Sequence, residues 1–196
     1  MKNRITLASL GAASVALWIV GLLVSRSLTT KLPDKATDAQ VLAWVQGNKN
    51  PIISGSWLYM IGCLVFVVFA AVLRSRLATA EDGARTLSTI AYSGAVMMAV
   101  FGMLTQPDIV SAIDADSISA GSAGAFHHLG DLGFVGVELS LTVFLGAVAV
   151  LALRHALLPR WWAALIFGFP VWLLVTPWLV GLTSRRRAGI TSTATA

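Results

Sequence analysis

Glu138 stands inside an apolar run, Val135-Gly136-Val137-Glu138-Leu139-Ser140-Leu141. An ionised acid at the centre of a bilayer costs about 2.5–3.5 kcal/mol on the most lenient scales. Such a residue is expected to face the inside of a helical bundle and either meet a partner or keep its proton. No Lys or Arg lies between Arg85 and Arg154, although that stretch holds five of the nine acidic residues and two of the three histidines. A neutral carboxyl held in an apolar pocket is a proton donor. The competing reading is structural, with Glu138 bonding Ser93 or Tyr92 to join two helices.

Helical spacing selects the neighbours of that acid. His128, Asp131, Val135 and Glu138 follow one another at i, i+3, i+7 and i+10, one face of a helix that starts near Phe126. Asp108, at the end of the preceding apolar run, reaches a matching depth because consecutive spans are antiparallel. The expected site is a polar pocket built from Glu138, Asp131, His128 and Asp108, with His127 on a flanking position. Against this, Asp131 after Leu129-Gly130 also reads as a helix cap, the histidines as solvated loop residues, and Asp114 and Asp116 as a wet turn. No metal site is expected, since His127-His128-x-x-Asp131 lacks the i, i+4 histidine pair of a zinc-binding helix. No cofactor is expected either: phosphate-binding glycine loops and Ser/His/Asp signatures are missing. Lone Cys63 excludes an intrachain disulfide.

The elements that must position these groups are membrane spans. Hydrophobic residues make up 57% of the 196-residue chain and charged ones 12%, with a mean hydropathy of +0.80. A soluble domain carries about 25% charged residues, so lipid is the main solvent here. Apolar runs near residues 5–24, 52–73, 87–104, 132–153 and 161–182 each approach the roughly 20 residues that cross hydrocarbon. The expected fold is all-α, a polytopic transmembrane helical bundle of about five spans. It forms a single domain over residues 1–183, followed by a disordered basic tail over 184–196. Residues 37–45 read as an amphipathic helix lying in the membrane interface, capped by Asp38, and Glu81-Asp82-Gly83 as a turn. The net charge of +5 sits at span ends, where cations anchor to headgroups, so no nucleic-acid partner is expected. The partners are the bilayer and a lipophilic small molecule; oligomeric state is left open. With the N-terminus cytoplasmic, Lys and Arg divide evenly between the two sides. Arg185-Arg186-Arg187 then falls outside, against the usual preference. The expected location is the cell membrane, as a multi-pass protein.

Seven Trp residues supply the second feature. Trp57, Trp161 and Trp162 mark span ends, and Trp57, Tyr59, Phe101, Phe134 and Trp172 are the expected substrate-binding residues around a cavity. Aromatic faces stabilise cations. An acid beside an aromatic-lined cavity is what proton-initiated cyclisation of an isoprenoid needs. Core packing accounts for the same rings without any reaction.

Residues 134–162, FVGVELSLTVFLGAVAVLALRHALLPRWW, resemble the closing part of a family of small bacterial multi-pass proteins of unknown function. In that family a glycine-containing span ends in a short basic loop with a Leu-Pro-Arg-Trp motif, matched by Leu158, Pro159, Arg160 and Trp161. The resemblance covers about a seventh of the chain, implies topology rather than activity, and carries one further span in the family. In outline, without a shared motif, the chain is also similar to the integral-membrane terpene cyclases, small metal-free multi-span proteins with acidic proton donors. The leading expectation is therefore a membrane-embedded cyclase with Glu138 as donor. A proton- or cation-coupled transporter and a non-catalytic partner subunit are the alternatives.

Overall fold

A computed structural model describes residues 2–33, 35–81 and 83–155. The span expected at 161–182, the tail at 184–196 and Trp172 lie outside them. Among the described residues all regular structure is α-helical: α1 (Lys2–Ser27), α2 (Asp38–Gly47), α3 (Lys49–Ala80), α4 (Thr86–Leu104), α5 (Asp108–Ile113) and α6 (Ala120–Arg154). Four stretches are long and apolar enough to cross a membrane: Ser9–Ser27, Lys49–Ala80, Thr86–Ile113 and Ala120–Arg154. The protein is a helical membrane bundle.

The packing follows from a solvent as apolar as the side chains themselves. Large residues such as Leu64 and Val68 on α3, Val100 on α4 and Leu139 on α6 are exposed, whereas Ser14, Ser88, Ala91, Ala95 and Ser140 are buried. With no hydrophobic force to drive helices together in lipid, small residues that allow close backbone approach decide which faces meet. α1 packs on α3, α3 on α4, and α4 on α6. At the first contact, a Cβ on Gly21 would stand 2.7 Å from Gly55 O and Tyr59 N. One on Gly55 would stand 2.8 Å from Gly21 O and Ser25 N. Those obstacles are backbone, so neither site tolerates a side chain. Two of the buried hydroxyls are satisfied within their own helices, Ser14 Oγ donating to Gly11 O (2.8 Å) and Ser140 Oγ to Gly136 O (2.7 Å).

Helix ends explain where the expected boundaries moved. Pro51 sits in the first turn of α3, where its missing N–H costs nothing, so the helix starts at Lys49 rather than at 52. α6 begins at Ala120, capped by Ser119. Asp131 is therefore not a cap but lies about three turns inside the helix. At 35 residues, α6 is about 52 Å long against a hydrocarbon core of about 30 Å. Its first turns project beyond the apolar layer. α2 is capped not by Asp38 but by Thr37, whose Oγ1 accepts from Gln40 N while Thr37 N donates to Gln40 Oε1 (2.8 Å). Nor is its apolar face laid against lipid: Val41 and Val45 pack with Ile52, Ala112, Ala115 and Ala123. The projecting start of α6 and the short α5 supply a protein surface that a sequence pattern does not show.

At the other end of the bundle, Gly83 (φ 81°) and Arg85 (φ 52°) take the left-handed region in the α3–α4 turn. Glu81 caps α4 with both oxygens, Oε1 accepting from Leu87 N (2.8 Å) and Oε2 from Ser88 N (2.9 Å). Burial opposes its charge, but the N–H groups of Ser88 and Leu87 together outweigh that and hold the carboxyl below its ordinary range.

Two outcomes follow. Gly55→Val should cost about 1–3 kcal/mol by overpacking against fixed backbone, read as a lowered Tm in detergent. Gly146→Ala, where an added Cβ meets nothing within 4 Å among the described residues, should be neutral or stabilising. Because folding depresses the Glu81 carboxyl, its stabilisation is complete above the ordinary carboxylate range and lost as pH falls through the lower folded value. Glu81→Ala should thus lower Tm at pH 7, and the gap to wild type should narrow on acidification. A gap independent of pH would show that the carboxylate cap contributes nothing.

Candidate functional site

All the irregular chain of the bundle's α2/α5 end converges on one place. The connector after α1 is tied down at Thr30 by three side-chain bonds. Thr30 N donates to Asn48 Oδ1 (3.0 Å), Asn48 Nδ2 donates to Thr30 Oγ1 (3.0 Å), and Trp44 Nε1 donates to Thr30 O (2.7 Å). Asn48 is only 7% exposed and its Nδ2 also donates to Trp44 O (2.7 Å). This knot fixes the Trp44 ring. Gln46 Nε2 donates to Ala115 O (2.8 Å), and Lys49 Nζ meets Asp116 Oδ1 at 2.8 Å, fastening α2 and α3 to the chain after α5. Asp116 therefore has a cation from another part of the chain, contrary to the reading of an acid-only stretch.

Beneath Trp44 lies a cavity of about 260 Å³. Its apolar wall includes Leu22, Ile52 and Phe134, its polar wall Ser56, Thr105 and Gln106, and its reactive groups are Asp108 and His127. His127 Nδ1 lies 3.0 Å from Asp108 Oδ2 and 3.3 Å from Oδ1. The two side chains are 33% and 20% exposed, enough shelter to matter and enough access for a ligand. The carboxylate orients the ring through Nδ1, which leaves Nε2 as the nitrogen able to exchange a proton. Trp44 meets the imidazole edge-on at 6.1 Å. Ser56 Oγ donates to Gln106 Oε1 (3.2 Å) and Gln106 Nε2 to Thr105 Oγ1 (3.0 Å), so the polar wall is held by its own network. Gly133 makes the wall possible: a Cβ there would stand 2.8 Å from Leu104 C and Thr105 N.

The expected constellation is distributed differently. Asp108 is in the cavity, but its histidine partner is His127, not His128. His128 and Asp131 are exposed, with Nδ1 and Oδ2 3.8 Å apart, beyond hydrogen-bond reach; Asp131 still borders the cavity mouth. Glu138 is half-buried, about 16 Å along α6 from His127 and not in the cavity lining, and its carboxyl has no hydrogen bond or ion pair among the described residues. The His128/Asp131/Val135 face points outward because the glycine face of α6, with Gly130, Gly133 and Gly136, is the one packed against its neighbours. Of the aromatics, Phe134 lines the cavity. Trp57 is exposed, Tyr59 packs near Trp18 at 6.2 Å, and Phe101 lies over Gly136. Trp44 and Asn48, which help build the site, were not singled out by sequence, and His127, expected only on a flanking position, is the histidine that meets Asp108. Among the described residues no three His, Cys, Asp or Glu side chains converge as metal ligands.

No family model, characterised protein or solved structure matches this chain.

The knot is testable on its own. Asn48→Ala should cost about 1–3 kcal/mol, since it leaves buried partners unsatisfied. It should also speed hydrogen exchange at residues 29–33, while α3 and α4 stay protected. Asn48→Asp, which keeps the acceptor for Thr30 N but loses both donors, should fall between.

Proposed function

We propose that this protein is a membrane-embedded enzyme that moves a proton onto and off a lipophilic substrate, and that the reaction is cyclisation of an isoprenoid. The observation that supports it best is the Asp108–His127 pair in the wall of a cavity that is apolar on one side and roofed by Trp44. The acid is thereby reassigned from Glu138 to Asp108. In its protonated form Asp108 gives its proton to an alkene or epoxide of the bound chain, forming a C–H or O–H bond and a carbocation. His127, donating from Nδ1, hydrogen-bonds the carboxylate left behind and spreads its charge. The faces of Trp44 and Phe134 stabilise the cation while it closes a ring. Loss of a proton from the ring carbon to the Asp108 carboxylate ends the sequence, so the product is an isomer of the substrate and the acid is restored.

A cytoplasmic N-terminus puts this cavity at the outer face of the cell membrane. Glu138 favours a second reading, a proton-coupled carrier, because a carboxyl in the membrane part of α6 with no partner among the described residues is the kind of group that loads and releases protons.

Feeding linear prenylated substrates and their epoxides to membranes holding the protein, with mass spectrometry of the products, separates the two. The cyclase reading expects a product isomeric with its substrate. Asp108→Asn and His127→Gln should each lower its formation about 100-fold or more, while Glu138→Gln should keep it within a few-fold. No conversion across the panel, together with proton flux that Glu138→Gln abolishes, would establish the carrier instead.

A further inference from the structure

A second, wider cavity of about 790 Å³ adjoins the first and shares Arg26, Thr29, Trp44, His127 and Asp131 with it. Its character is different. Arg26, from the last turn of α1, and Lys31 and Lys35, from the connector, stand along it, and Asp131 is its single carboxylate among the described residues. Among the described residues none of the three cations makes an ion pair, whereas Lys49, just outside, has Asp116. Three like charges gathered in one concavity repel one another and are stabilised by an anion that enters between them. The connector that carries two of them is not a loose loop, because the bonds from Asn48 and Trp44 to Thr30 hold it immediately before Lys31.

We infer that this wider cavity binds the phosphate or diphosphate head of an amphiphile, with Arg26, Lys31 and Lys35 on its oxygens and the apolar tail passing under Trp44 into the smaller cavity. The guanidinium fork of Arg26 pairs with two phosphate oxygens at once, and the ammonium groups neutralise the remaining charge. Generic anchoring of cations at a membrane edge explains neither the concavity nor its continuity with the cavity that holds Asp108. The inference rests on the reading above in taking the bound molecule to be the substrate, and it narrows that substrate to a phosphorylated isoprenoid whose head is kept while its far end is protonated.

The test is a binding titration of the full chain in phosphatidylcholine nanodiscs, with farnesyl diphosphate, farnesol and inorganic pyrophosphate as probes. Farnesyl diphosphate should bind about tenfold or more tightly than farnesol, and R26Q/K31Q/K35Q should remove that advantage, a loss of about 1.4 kcal/mol or more. All three side chains are exposed, so the variant should keep its Tm; Lys35→Gln alone, with a partial loss, guards against misfolding of the triple change. Competition by pyrophosphate would identify a soluble phosphate ester as the ligand. Competition only when phosphatidic acid is added to the nanodisc would identify a bilayer headgroup. Equal affinity for farnesol and its diphosphate, or an unchanged affinity in both variants, overturns the inference. Asp108→Asn separates the two proposals, since it should abolish conversion and leave diphosphate binding within about twofold. Tight binding without conversion in wild type would defeat the enzyme reading alone.

Discussion

Backbone N–H and C=O groups find no water inside hydrocarbon, so every segment that crosses it is helical and every irregular segment is driven to an end. That constraint assembles this site. The connector after α1, the short α2, the α4–α5 turn and α5 all belong to the same end of the bundle because the spans alternate in direction. They meet the projecting first turns of α6 there. Polar side chains that lipid would reject, Asn48, Gln106, Asp108 and His127 among them, become each other's partners at that end. The deeper bundle buries alanine, glycine and serine around a few large residues such as Phe66, Phe144 and Leu151, and turns many large aliphatic residues outward.

The arrangement is held by contacts that leave no room for adjustment. Gly21 against Gly55 fixes α1 on α3, and Gly133 against Leu104 and Thr105 fixes α6 on the end of α4. The first sets where Leu22, Ser25 and Arg26 stand, and the second sets where His127 and Phe134 stand. Cavity walls from α1, α3 and α6 are thus located by backbone-to-backbone contact rather than by side chains that can repack. Trp44 lines the cavity where it meets the wider one, itself held by the Thr30 and Asn48 bonds.

Much of this was legible in the sequence. Length and apolarity of the runs give the helical spans, because in lipid composition leaves almost no alternative to a helix. Alternation of the spans puts Asp108 at the same end of the bundle as the start of α6, where it meets His127. The histidine could not be assigned from a stripe that began at Phe126, since one residue of phase decides whether His127 or His128 faces inward. A sharper signal was present: Gly124, His127, Gly130 and Gly133 recur every three residues, and glycine marks the face where another backbone comes close. Read in that phase, His127 lies on the buried side and His128 does not. Asn48 and Trp44 gave no such signal, because their roles depend on Thr30, which becomes a neighbour only when the connector folds back.

Glu138 marks the remaining difference between pattern and packing. An acid in an apolar run draws attention because of its cost, yet cost alone does not say what the group faces. The sheltered pair of Asp108 and His127 is the feature on which the account stands, and nitrogen-15 spectroscopy of the histidine rings in nanodiscs tests it directly. His127 should give ring signals of an Nδ1-protonated imidazole bonded to the Asp108 carboxyl group, distinct from those of His128, and Asp108→Asn should shift His127 and leave His128 in place. Signals for His127 that match a solvated histidine and ignore the Asp108 substitution would contradict it.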